Sequence, residues 1–172
     1  MKTLLILSLL TLSLCGNASK IKNYLRSHKF TSAGAAGLMG NLEAESGLRP
    51  DVYEYSKQKI IGLSQADYIR KTNDGSYKNF IRDGAGFGLA QWTYWSRKEA
   101  LLNACRGKIA DLNCQLSFLV SELRHSFSRV YHTLTSSHNV DDCCDIVLLK
   151  FERPYNARGQ IGKRRALCRK YQ

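Results

Sequence analysis

Hydrophobic residues recur along this chain at the helical period rather than alternating. Ile21, Tyr24, Leu25 and Phe30 predict a short first helix. Thr31 or Ser32 can cap a second, which runs through Leu38 and Leu42 to Ser46 and stops at Gly47, with Pro50 beyond. Residues 51–83 are the least periodic and read as turns, a small hairpin and a short helix after Ser64. The second half returns to helix. Leu112, Leu116, Leu119, Val120, Leu123 and Phe127 form one run, and Val140, Cys144, Val147, Leu148 and Phe151 another, with Asp141 as its cap. Ile161, Arg165, Cys168 and Tyr171 mark a last helix with a basic outer face. The expected architecture is mainly α (α+β), with an irregular or small β region at about 51–90.

The first residues change the picture of where the chain works. Lys2 precedes a leucine-rich run from Leu4 to Leu14, and Gly16-Asn17-Ala18 supplies small residues. That order predicts a secretory signal peptide over 1–18 and a single domain over 19–172, secreted and without stable membrane insertion. The run is too short to span a bilayer. Five cysteines follow it: Cys105, Cys114, Cys143, Cys144 and Cys168. In an exported chain these predict up to two bridges among the C-terminal helices and one odd thiol. Neighbours on a helix point about 100° apart, so Cys143 and Cys144 need different partners.

Charge narrows the partner without choosing it. Twenty-six Lys and Arg against fourteen Asp and Glu give a formal net charge of +12, which suits an acidic polymer: nucleic acid, anionic lipid or bacterial wall. Arg153, Arg158, Lys163, Arg164, Arg165, Arg169 and Lys170 cluster at the C-terminal end. No nucleic-acid reading motif accompanies them. His125, His132, His138 and Cys143 share one stretch without the spacing of a zinc site, so neither a metal nor a cofactor is expected.

Two segments carry candidate chemistry. Gly34, Gly37 and Gly40 stand in the second helix at a cost of about 1 kcal/mol each against alanine, so another backbone is expected to approach there. Leu38, Leu42 and Glu45 stand at i, i+4 and i+7, which carries Glu45 inward at the negative end of the helix dipole. Both effects disfavour the charged form, as a glycosidase acid requires. Arg49, four residues on, is the obvious ion-pair partner, and Glu43 is the rival acid. The other segment runs from Arg82 to Thr93 and contains Gly84-x-Gly86-x-Gly88. No Lys-Ser/Thr follows, so it is not a phosphate loop. Instead it approaches a helix expected to start near Gln91, and Gln91, Trp92 and Trp95 suit a sugar cleft: aromatic faces stack on pyranose rings and an amide bonds hydroxyls. Core packing is the competing reading for both tryptophans.

Together the blocks A-G-L-M-G-N-L-E-A-E-S-G-L-R-P, D-G-A-G-F-G-L-A-Q-W-T-Y-W-S-R-K, F-E-R-P and K-R-R-A resemble the phage tail lysozyme family from about Gly34 to Tyr171. The family is more distantly similar to goose-type lysozymes and soluble lytic transglycosylases. The resemblance implies a lysozyme-like fold, a monomer acting on bacterial peptidoglycan, and cleavage of the β-1,4 bond between N-acetylmuramic acid and N-acetylglucosamine. It implies that Glu45 is the general acid and that Gln91 and Trp92 contact glycan, with Phe87 where tyrosine is common. Asp83 is the first choice for a second carboxylate, ahead of Asp51, Glu54 and Asp74. A transglycosylase on the same bond, and a cationic or glycan-binding protein with an inert cleft, are the competing readings.

Overall fold

The computed structural model describes residues 16–172, so the expected leader lies outside the described residues up to Cys15. The chain is mainly helical and forms two compact units, one holding the residues up to Leu48 together with Glu122–Gln172, the other Arg49–Ser121.

The first unit is built around one buried helix. Residues 16–27 form α1, and α2 spans Ser32–Ser46. Thr31 caps α2 by accepting from the Gly34 amide, as the sequence predicts. From Ala33 to Leu42 every residue of α2 is buried, so the helix is apolar all round rather than striped. Its neighbours are α7 (Ser128–Ser136), α8 (Val140–Ile146), the wider turns of Val147–Glu152 and α9 (Ala157–Lys170). The three glycines explain how they fit. A Cβ on Gly34 would lie 1.8 Å from the Leu134 carbonyl oxygen, one on Gly37 2.6 Å from Cys143 Cβ, and one on Gly40 2.4 Å from the Cys168 amide nitrogen. Each glycine therefore admits a different helix: α7, α8 and α9. Asn139, not Asp141, caps α8, and Asp141 and Asp142 then fall in the first turn, where negative charge is favoured. A Cys144–Cys168 bridge ties α8 to α9, while Cys143 is free and buried, its thiol pushed up by desolvation.

The second unit holds α3 (Gln58–Ile61), α4 (Gln65–Asn73), capped by Ser64, and α5 (Trp95–Ala104). The chain returns to the first unit within α6 (Leu112–Ser126), and Cys105–Cys114 links the end of α5 to the start of α6. The small β region is reduced to two isolated antiparallel bridges, Tyr53 to Phe87 and Phe87 to Trp92. Gln115, fully buried, holds the turns in place: its amide donates to the Pro50 and Ile109 carbonyls at 2.7 and 2.6 Å and accepts from the Leu89 amide at 2.9 Å.

Candidate active site

Glu45 stands in the last turn of α2, where the buried helix emerges. Gly47 ends the helix at φ 63°, and its amide returns to the Glu43 carbonyl. Leu48 follows at φ 60° with its side chain buried, so two consecutive left-handed residues turn the chain away from the helix. That turn removes Arg49 from Glu45. Arg49 instead makes a two-pronged pair with Asp51 at 3.0 and 3.1 Å.

The partner of Glu45 comes from α9. Arg164 Nη2 donates to Glu45 Oε1 at 2.5 Å, with side-chain exposures of 7% for the arginine and 19% for the glutamate. The same guanidinium donates through Nη1 to the Asn41 carbonyl at 3.0 Å and through Nε and Nη2 to Gln160 Oε1 at 3.3 and 3.1 Å. Arg164 is thus part of the interior rather than of a basic outer face. Glu45 Oε2 has no hydrogen-bond partner among the described residues. One oxygen is held and the other is free. Glu43 is engaged elsewhere, accepting from Lys170 Nζ at 2.6 Å.

Asp83, in the second unit, is buried in an ion pair. Lys98 Nζ lies 2.5 Å from Asp83 Oδ1, with side-chain exposures of 0% and 3%. The phenols of Tyr68 and Tyr77 donate to Oδ2 at 2.7 and 3.2 Å, and the Ala85 amide donates to Oδ1 at 2.9 Å. Lys98 also donates to the Ala85 carbonyl at 2.9 Å and sits over the Phe80 ring, 4.4 Å from its centroid. Burial pushes the Lys98 ammonium down while Asp83 pulls it back up. Burial and the nearby Asp83 raise the phenols of Tyr68 and Tyr77. Both oxygens of Asp83 are occupied from within the fold, and this cluster fastens the start of the glycine-rich segment to α4 and α5.

The expected glycan contacts separate. Phe87 and Trp92 are fully buried, Phe87 among Tyr68 and Phe80 and Trp92 against Phe118. Their backbones pair, with the Phe87 amide donating to the Trp92 carbonyl and the Trp92 amide to that of Phe87, so their rings belong to the core of the turn. Gln91, at φ 44°, donates its amide to the Gly88 carbonyl at 3.0 Å and to that of Val52 at 3.4 Å. Its side chain braces the turn. Trp95 alone of the four is exposed, at the first residue of α5, four positions later than the expected helix start. Among the rival carboxylates, Asp51 and Asp74 face arginines, whereas Glu54 accepts from the Gly86 amide at 3.4 Å beside the glycine-rich turn.

A family model described as phage tail lysozyme matches residues 16–172. The chain belongs to the phage tail lysozyme family. No curated protein sequence matches it. Membership supports a lysozyme-like enzyme that cleaves peptidoglycan. The E-S-G and K-R-R-A blocks of the family resemblance then acquire a physical link, because they supply the two ends of the Glu45–Arg164 pair. Sequence reasoning missed Lys98, Gln115 and the role of Arg164. No local pattern marks them, since each acts on residues distant in the chain.

Proposed function

We propose that the protein is an exported muramidase in which Glu45 protonates the bridging oxygen between N-acetylmuramic acid and N-acetylglucosamine. The observation that supports this reading is the state of the Glu45 carboxyl: half-buried, with Oε1 fixed by a guanidinium that is itself anchored at Asn41 and Gln160, and Oε2 unengaged. An acid placed in this way has one orientation and one oxygen on which to carry a proton. The bond between the anomeric carbon and the bridging oxygen breaks as that oxygen takes the proton of Glu45, water adds its hydroxyl to the anomeric carbon, and the water's other proton passes to solvent, from which the Glu45 carboxylate is reprotonated. Asp83 acts here through structure, by holding the glycine-rich turn.

One observation favours a second reading. Because Asp83 has no free oxygen with which to activate water, Glu45 acting alone fits a transglycosylase: it protonates the leaving oxygen as the glycosidic bond breaks, the sugar's own hydroxyl attacks the anomeric carbon to close an anhydro ring, and that hydroxyl's proton returns to the Glu45 carboxylate. Digestion of isolated peptidoglycan followed by mass spectrometry separates the two: hydrolysis gives reducing muramic ends carrying the elements of water, and transglycosylation gives anhydro ends. A protein that releases no muropeptides supports the inert-cleft reading instead.

Export rests on the leader expected over 1–18 and on two disulfides, which suit an oxidising compartment. Mass analysis of protein recovered from the medium, with Ser19 as its first residue, tests it. No helix among the described residues is long and apolar enough to cross a membrane.

A further inference from the structure

The second unit buries Tyr53, Tyr68, Phe80, Phe87 and Trp92, yet leaves Tyr94 and Trp95 in water, 63% and 46% exposed. The two rings are 6.0 Å apart and tilted by 43°, so neither consumes the face of the other. With Ile81, Arg82, Gly84 and Thr93 they line an open groove of about 390 Å³, within the range of small-ligand sites. Gly84 takes φ 66°, and nothing lies within 4 Å of where its Cβ would be, so the wall at that point is clear. The Thr93 hydroxyl is already donated to the Gln91 carbonyl. That leaves the Arg82 guanidinium as the charged group of the groove.

Arg82 is exposed and has no acidic partner among the described residues. Its neighbour in sequence would ordinarily neutralise it, but Asp83 is turned inward to Lys98. The first turn of α5, which starts at Trp95, has no side-chain cap and adds its positive end to the same stretch. The groove therefore offers two aromatic faces and an uncompensated cation. Aromatic faces suit the apolar side of a pyranose, and a guanidinium suits a carboxylate.

We infer that Arg82, Tyr94 and Trp95 form a subsite for an N-acetylated sugar bearing a carboxylate substituent, as a muramoyl unit with its peptide stem does. This rests on the peptidoglycan reading for the choice of sugar, and on the groove itself for the requirement of a carboxylate.

The chain contains two tryptophans, and Trp92 is fully buried, so a change in emission on ligand addition reports Trp95. The full chain carrying Glu45→Gln is titrated with a disaccharide bearing a dipeptide stem and, separately, with a neutral N-acetylglucosamine oligomer. The acid-bearing ligand is expected to shift the emission and to bind more tightly. Arg82→Gln should weaken it by about tenfold and leave the neutral oligomer unchanged, the scale of one charge-assisted hydrogen bond. Trp95→Leu, followed by NMR, should weaken both ligands. Both altered side chains are exposed, and an unchanged unfolding midpoint confirms an intact fold. Equal binding of the two ligands to the parent, or undiminished binding of the acid-bearing ligand to Arg82→Gln, overturns the inference. The enzymatic reading fails separately: if Glu45→Gln still cleaves peptidoglycan while the ligand preference holds, the subsite stands and the assignment of the acid falls.

Discussion

Replacing Lys98 with methionine tests whether Asp83 is structural or catalytic. Methionine keeps the apolar stem that packs near Phe80 and removes the ammonium from a site of 0% exposure. Asp83 would then be a buried carboxylate without a countercharge, a change that costs about 3–5 kcal/mol. Three donors remain to it, from Tyr68, Tyr77 and the Ala85 amide, so the low end, about 3 kcal/mol, is expected. Adding Asp83→Asn removes the second charge while preserving shape, and the double variant should recover to within about 1 kcal/mol of the parent. Urea unfolding followed through Trp92, buried in the same unit, reads both changes. Peptidoglycan digestion by the refolded double variant then reads the chemistry, which the structural role predicts to be retained. A loss below about 1 kcal/mol for Lys98→Met, the worth of a surface pair, would refute the reasoning about burial. A stable double variant with no activity would show that Asp83 takes part in catalysis.

Three further outcomes follow from the same contacts. Arg164→Met should cost about 3 kcal/mol in urea unfolding because it strands Glu45 and frees the Asn41 carbonyl; Arg164→Lys should restore only part, since an ammonium cannot reproduce the guanidinium fork. Cys144→Ala with Cys168→Ala opens a loop of 24 residues joining α8 to α9 and should lower stability by about 3 kcal/mol in the same assay. At alkaline pH, the raised phenols of Tyr53, Tyr68 and Tyr77 stay protonated in the folded chain while the unfolded ones ionise near their ordinary value of 10.0. Unfolding then releases protons, so stability is fully present below that value and falls as pH rises above it. Lys98 opposes this as a single group whose folded form binds its proton less well, which makes stability rise as pH approaches 10.5. Melting temperatures across that range should decline beyond pH 10, and a rise there would contradict the tyrosine assignment.

Local patterns carried the first unit well. Thr31, Gly47 and the three glycines of α2 act through neighbours in sequence or through the mere absence of a side chain, and both are visible in the chain itself. Partners distant in sequence were not visible. Arg49 is the natural choice for Glu45 by helical spacing, but the left-handed pair Gly47-Leu48 turns it toward Asp51, and the true partner lies 119 residues away. Lys98 reads as a surface lysine because lysine is almost never fully buried unless paired, and nothing near it announces Asp83. Trp92 and Trp95 look equivalent in a string. The backbone bridge between Phe87 and Trp92 decides that one ring enters the core, and the start of α5 leaves the other outside. The seven C-terminal cations show the same limit. Arg165 and Arg169 pair with Asp141 and Asp145, Lys170 with Glu43 and Arg164 with Glu45, leaving Arg153, Arg158 and Lys163 exposed without such partners among the described residues.

The most direct measurement is muropeptide release from isolated peptidoglycan by the parent and by Glu45→Gln, each shown to be folded by its circular dichroism. Glutamine can still accept from Arg164 but has no acidic proton to give, so release should fall by about 10²–10⁴-fold. Release within a few-fold of the parent would contradict the assignment of Glu45 as the acid.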